Sequence, residues 1–483
     1  MSTAISLLAP EAIWANFEKL NAVPRASKKE EAVIEFIKDF GLGLGLATEV
    51  DSIGNVLIRK PATTGMEKRK TVVMQAHLDM VHQKNADVDF DFETQGINMW
   101  VDGDWVRAKG TTLGADNGLG VAAIMGILAS TDIAHPQIEA LFTIDEETGM
   151  TGALKLQPNW LTGDILLNLD TEEDNELGVG CAGGIDVTFK ACYTPVSSKG
   201  RTAYQISVRG LQGGHSGMDI HKGLGNANKI MNRLLWAVAD LVELSELNGG
   251  SLRNAIPRES FGIVVINPDQ EDIFTESLAK MRQEILTEFA GLEPDLSIQY
   301  TAIDAPEEVM PSEDFKRLIY GVQATHNGVY RMSPDIEGLV EASNNLAKVT
   351  VGDGLVQWEC LTRSSVESTK WDLVRQLQAV GHGAEAAVEY SGDYPGWAPN
   401  MNSPILGVMS ELYRETFGHE PHVAACHAGL ECGIIGKHYP ELDMISFGPN
   451  IRGAHSPDER ASISSTQKFW DYLCKTLSQI PER

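Results

Sequence analysis

Apolar and polar positions along the chain follow two rhythms. Residues 9–22 and 27–43 repeat apolar side chains at three- and four-residue intervals, the spacing that gives a helix one buried face. Short apolar runs follow at 55–58, 71–75, 139–144 and 165–169, each with the length and composition of a buried strand. Between them, 119–130 (LGVAAIMGILAS) predicts a buried helix entered through a Gly-rich turn. Strands alternating with helices predict an α/β fold with a mainly parallel sheet.

The rhythm then changes. Strands are predicted at 204–210 and 261–266, with a long helix at 224–246 between them. Helices at 271–291 and 312–325, strands over 348–360, a helix at 366–382 and a strand at 386–391 complete an α+β module. After the turn-rich Tyr394-Pro395-Gly396-Trp397, a helix at 403–417 and a strand at 444–447 restore the first style. The economical organisation is one α/β domain, 1–186 and 392–483, interrupted by an inserted α+β domain, 187–391. A chain of 483 residues is also longer than one core ordinarily serves.

Composition narrows the function. Hydrophobic residues at 43% and charged residues at 22% are those of a soluble globular protein. A net charge of −28 would be repelled by a phosphate backbone, so no nucleic-acid partner is expected. No apolar run is long enough to cross a membrane, and the N-terminal MSTAISLLAPEAIWANFEKL reads as an amphipathic helix without a basic start or cleavage site. Six scattered cysteines without a CxxC pair make neither a disulfide framework nor a cysteine zinc site. A reducing cytoplasm is the expected location.

Five short motifs carry the candidate chemistry. Four place polar residues directly after an apolar strand-like run, where sites form in open α/β sheets. TVVMQAHLDM holds His77 and Asp79, two apart and therefore on one face of a strand. A carboxylate there accepts the second ring N–H of a metal-bound histidine, although a buried polar pair is the plainer alternative. Gly114-Ala115-Asp116-Asn117-Gly118 is a tight turn before a helix; alone, Asp116 reads as a helix cap. LFTIDEETG runs a strand into Glu146 and Glu147, neighbours whose repulsion calls for a cation or a shared proton. One suits a metal ligand and the other a general base. ILLNLDTEED ends its run at Asp170, with Glu172, Glu173 and Asp174 reading as a solvated turn, and FGPNIRGAHSPDE sets His455 in a Gly/Pro-rich loop. Two histidines and three carboxylates suit zinc, with manganese or cobalt as substitutes, and accommodate two ions if one carboxylate bridges. Each motif is weak alone; the ordered set is strong.

The series HLD, GADNG, DEETG, LD and GAHSPDE resembles the two-zinc aminoacylase, carboxypeptidase and dipeptidase superfamily over the whole chain. HAGLECG (427–433), SGDYPGW (391–397) and FGPNIRGAHSPDE (447–459) resemble its Xaa-His (aminoacyl-histidine) dipeptidase branch, related to carnosinases. The resemblance implies a di-zinc peptidase catalytic domain with an inserted lid and dimerisation domain, two zinc ions per chain and a homodimer. It implies that Asp116 bridges the ions, with Glu147 and His455 completing one site and His77 and Asp170 the other. Glu146 becomes the general base toward the bridging water, Asp79 the residue that orients His77, and Asp116–Asn117 a cis peptide. In GLQGGHSGMD, His215 matches the histidine that stabilises the oxyanion. Arg363 in LTRSSVES matches the arginine that grips the substrate carboxylate, and Asn254 in RNAIP and Glu431 in GLECG are further candidates for substrate contact. The other nine histidines, His427 among them, read as structural or surface residues. The expected activity is hydrolysis of Xaa-His-type and other small dipeptides. A tripeptidase, an N-acyl amino-acid deacylase and a non-catalytic metal-binding relative are the alternatives.

Overall fold

The computed structural model describes residues 4–483. They divide into two compact units, one running to Cys181 and resuming over Trp397–Ala425 and Leu430–Arg483, the other of Ala182–Gly396 and Cys426–Gly429.

The first unit is built on an eight-stranded sheet. Its order is Ala47–Val50, Val56–Lys60, Ile138–Thr143, Val72–His77, Ile165–Asn168, Asp443–Ser446, Glu176–Cys181, His422–Cys426. The middle of the sheet is parallel: Val72 pairs with Ile138 and Ile165, and Ile165 with Asp443. Every residue of Val72–His77, Ile138–Thr143 and Ile165–Asn168 is buried, because helices cover both faces of such a sheet. That double burial is why these strands appear in the sequence as unbroken apolar runs. The helix Ala115–Ala129 is buried from Asn117 to Leu128 and packs on Val72–His77 and on the helix Glu11–Asn21. A small sheet joins Met99–Asp102, Trp105–Ala108, Arg460–Ser462 and Ile451–Arg452. Its pair Ile451↔Ala461 and Arg452↔Arg460 closes the loop that contains His455.

The second unit is an antiparallel sheet carrying helices. Its order is Ser297–Ile303, Thr202–Arg209, Ser260–Ile266, Val242–Gly249, Val340–Gly352, Leu355–Ser364, Gly183–Cys192, Ala387–Tyr394, with Gly328–Met332 beside Val340–Gly352. Residues of the helices Ala227–Ala237, Glu271–Phe289, Ser312–Ala324 and Glu367–Gly383 share one core with this sheet. In that core Phe189 and Trp358 stack at 4.5 Å.

Two expectations in this region need correction. The long helix at 224–246 is a helix, Ala227–Ala237, followed by a strand, Val242–Gly249. Pairing with Ser260–Ile266 and Val340–Gly352 overrides the helix preference of its Leu and Glu residues. The strands over 348–360 form a longer hairpin turning at Asp353-Gly354, where φ is 51° and 76°. Positive φ at both central residues is the turn that matches strand twist, and Asp-Gly is its sequence signal.

Candidate metal centre

The apolar strand Val72–His77 ends on His77, which is 1% exposed. Its Nε2 lies 3.1 Å from Oδ1 of Asp116 and 3.5 Å from Oδ1 of Asp170. Asp116 sits at the mouth of the helix Ala115–Ala129, where it and Asn117 leave helical geometry and the peptide between them is cis. Its other oxygen, Oδ2, lies 3.2 Å from Nε2 of His455, which is itself 3.1 Å from Oε2 of Glu147. The potential ligand atoms of His77, Asp116 and Asp170 cluster within 4.8 Å, and so do those of Asp116, Glu147 and His455. All five sequence-predicted ligands are therefore together, with Asp116 common to both triads.

The donor set fits divalent cations. Three carboxylates face two imidazole nitrogens, and Oε1 of Glu147 is buried with no hydrogen-bond partner, a costly state for a carboxylate unless a cation completes it. The carboxylates pull protons onto the histidines. Hydrogen bonds donated to Asp116 and Glu147 raise His455 to about 11. Burial works against the charge on His77, but Asp170 and Asp116 outweigh it and hold the group well above its usual range. Burial pushes Asp170 up to about 6, against the nearby His77. A divalent cation at each triad would displace these protons and balance the carboxylate charge in their place.

Asp79 lies behind the centre. Its Oδ1 is 3.3 Å from Nδ1 of His77 and accepts the backbone N–H of Glu146 at 3.0 Å. Its Oδ2 accepts the N–H of Glu147 at 3.2 Å and the hydroxyl of Ser27 at 2.8 Å. Glu146 opens the short helix Glu146–Gly149 after Asp145, which has φ of 53°. Asp145 is held by the hydroxyls of Thr148 and Thr151 and by Nζ of Lys28 at 2.9 Å. Burial raises Glu146 well above the usual carboxylate range; His77 opposes the shift, and Asp170, Glu147 and Glu431 add to it. A carboxylate so raised accepts a proton more readily than an ordinary one, as a general base requires.

Beneath the strand ends runs a polar ladder of which the sequence reading names only Glu431. Nε2 of Gln75 donates to Oε2 of Glu431 at 2.6 Å, as does the hydroxyl of Thr143. Nδ2 of Asn168 donates to Oε1 of Gln75 at 2.6 Å, and the hydroxyl of Ser446 donates to Oδ1 of Asn168 at 2.5 Å. Gln75 and Asn168 lie two residues before His77 and Asp170, on the same face of their strands. Glu431 is fully buried at the start of the helix Glu431–His438. Its Oε1 has no partner, and burial pushes it up to about 8. The acidic turn after Asp170 is also less solvated than its sequence suggests. Asp174 receives Nζ of Lys468 and Nδ2 of Asn450, and Glu173 pairs with Arg452 at 2.7 Å.

The remaining candidates belong to the second unit. His215 lies on Gly214–His215, paired with Ala255–Ile256. Its Nδ1 accepts the N–H groups of Gly217 and Met218 at 3.2 and 3.1 Å, which assigns the proton of the neutral ring to Nε2. The exposed Asn254 accepts the N–H of Ser216 on its carbonyl at 2.8 Å. Arg363 is 5% exposed; its Nε and Nη1 reach only hydroxyls, of Ser216 at 3.4 Å and Tyr394 at 2.9 Å. Asp186 attracts this guanidinium through space, while its own ion pair is with Arg253. His427, treated from the sequence as structural, has Nε2 at 2.7 Å from the hydroxyl of Ser343 and a buried Nδ1 without a partner. Burial first, then Arg363, push it down to about 3. The HAGLECG segment was its only sequence signal.

Known proteins resemble this chain. The chain is 44% identical to the cytosol non-specific dipeptidase of Escherichia coli (strain K12) over 483 residues, covering 99% of each chain. The crystal structure of aminoacylhistidine dipeptidase from Vibrio alginolyticus superposes with a TM-score of 0.92 at 44% identity, covering 100% of this chain and 99% of that one. Aminopeptidase PepT from Bacillus cereus ATCC 10987 shares the fold, with a TM-score of 0.58 at 15% identity over 98% of this chain and 99% of its own. Residues 73–479 match the model of peptidase family M20/M25/M40, and the chain belongs to that family of metallopeptidases.

Proposed function

We propose that the protein is a zinc-dependent dipeptidase that cleaves Xaa-His-type and other small dipeptides. The observation that carries this reading is the placement of Asp116, whose two oxygens each face a different histidine, each with its own further carboxylate. His77 and Asp170 would hold one ion, Glu147 and His455 the other, with Asp116 shared. Zinc suits this set, and manganese or cobalt would substitute. When bound, the ions supply Lewis acidity that polarises a peptide carbonyl and acidifies a water.

The chain's own groups do the rest. Glu146 accepts the water proton and returns it to the leaving amine. Asp79 fixes the ring of His77 and, through two backbone N–H groups, the start of the segment bearing Glu146 and Glu147. His215, protonated on Nε2, is the donor for the developing oxyanion. Arg363 is the anchor for the substrate carboxylate, supported by its burial with hydrogen bonds to hydroxyls alone. Glu431 offers its unpartnered Oε1, and Asn254 is exposed beside the His215 segment; both are assigned to substrate contact.

The substrate class is supported by two relatives at 44% identity over nearly the full chain, both named as dipeptidases. The name "non-specific" on one of them favours a range wider than Xaa-His. A cytoplasmic location follows from that same relative, named for the cytosol. A homodimer, with the second unit as lid and dimerisation domain, follows from the family resemblance. Metal analysis with parallel assays of β-Ala-His, Gly-His, a tripeptide and an N-acetyl amino acid tests the reading. Cleavage of the dipeptides, abolished by chelation and restored by zinc or manganese, supports it. Preference for the tripeptide or the N-acetyl substrate overturns the dipeptidase assignment.

A further inference from the structure

The glycines that flank Asp116 have a common neighbour. A Cβ on either Gly114 or Gly118 would overlap Nη2 of Arg25, and Gly114 also holds φ at 71°. Arg25 is 2% exposed. Its Nη1 donates to the carbonyls of Leu78 and Asp79, both at 3.1 Å, and its Nη2 to Oδ1 of Asn21 at 3.1 Å and to the carbonyl of Gly114. One guanidinium thus bonds the backbone just beyond His77 and the backbone just before Asp116.

The same turn is held by Glu459, also 2% exposed. Its Oε2 accepts the N–H groups of Leu113 and Gly114 at 2.6 and 2.8 Å, and its Oε1 those of Ala115 and Asp116 at 2.7 and 3.2 Å. Four successive backbone donors therefore converge on one carboxylate, which lies 343 positions from Asp116 in sequence. Buried N–H groups must find acceptors, and here they find a single rigid one. Glu459 also lies four residues after His455, in the loop closed by the Ile451–Arg452 and Arg460–Ser462 pair.

We propose that Arg25 and Glu459 are positioning residues for the metal centre. Glu459 locks the backbone of Asp116 to the loop bearing His455, and Arg25 locks the same turn to the strand end bearing His77. Asp116 is shared by both triads, so its placement governs both ions at once. This inference rests on the two-cation reading above. A simple stability role is the competing explanation, and Glu139 provides its control. Glu139 is fully buried in the same unit and accepts the N–H groups of Thr162 and Gly163 at 2.8 and 3.0 Å, with Arg59 at 3.3 Å. Its turn carries none of the ligands.

The test is titration of the metal-free full chain with Co2+, followed by calorimetry and visible absorption. Glu459→Gln turns an amide NH2 against backbone N–H donors. It is expected to weaken Co2+ binding roughly 10- to 100-fold, the usual cost of removing a group that orients ligands, and to alter the absorption spectrum. Glu139→Gln is expected to lower the melting temperature while keeping wild-type affinity and spectrum. Wild-type affinity and spectrum in Glu459→Gln overturn the proposal, as does an equal loss in Glu139→Gln. If Glu459→Gln does not fold, Glu459→Asp is read by the same criteria. Absence of Co2+ binding by the wild-type chain locates the failure in the two-cation reading itself.

Discussion

Asp79 accepts the backbone N–H of Glu146 at 3.0 Å while its Oδ1 also lies 3.3 Å from Nδ1 of His77. One buried carboxylate thus orients an imidazole and the segment that bears the proposed base. Asp79→Asn places an NH2 where an acceptor is needed. It is expected to lower kcat about 10- to 100-fold with a much smaller change in KM. Steady-state kinetics on a dipeptide checks this, and an unchanged kcat assigns Asp79 to packing alone.

Glu146→Gln removes the proton acceptor and keeps the shape. Turnover should fall by roughly 10²- to 10⁴-fold, the usual contribution of a positioned base, with metal content unchanged. Metal analysis beside kinetics separates loss of the base from loss of the ions. Near-normal turnover with metal bound excludes Glu146 from proton transfer.

Arg363 is buried and hydrogen-bonded to the hydroxyls of Ser216 and Tyr394, so it should select substrates with a free carboxylate. The wild-type enzyme is expected to cleave Gly-His far better than its C-terminal amide. Arg363→Met should cut kcat/KM for Gly-His on the order of 10- to 100-fold, as a lost charged hydrogen bond would, and erase the preference over the amide. Retained preference would assign the recognition elsewhere.

His427 links structure to pH. Its folded-state pKa of about 3 lies below the ordinary value of 6.5, so the unfolded chain binds the proton more readily. Its contribution to stability is complete above about pH 6.5 and is lost as pH falls from there toward 3. Urea midpoints between pH 4 and 7 should therefore fall more steeply with acid in the wild type than in His427→Gln. Parallel slopes would contradict the buried neutral state.

Much of this was legible in the sequence for a physical reason. Val72–His77, Ile138–Thr143 and Ile165–Asn168 are buried on both faces, so an apolar run marks each strand and the polar residue ending it marks the site. The Leu and Glu residues of Val242–Gly249 suit helical spacing, and only remote pairing makes the segment a strand. Gln75, Arg25 and Glu459 were silent for a related reason. Their partners are side chains and backbone groups from distant segments, and no local spacing announces such contacts. His427 looked like any isolated histidine until burial set it beside Ser343.

The central claim is that Asp116 joins two cation sites. Metal analysis of the purified chain and of Asp116→Ala, each reconstituted with zinc and desalted, tests it most directly. The account predicts two ions per chain in the wild type, and loss of both, together with dipeptide hydrolysis, in the variant. Retention of two ions by Asp116→Ala, or undiminished hydrolysis by a fully chelated wild-type chain, would contradict it.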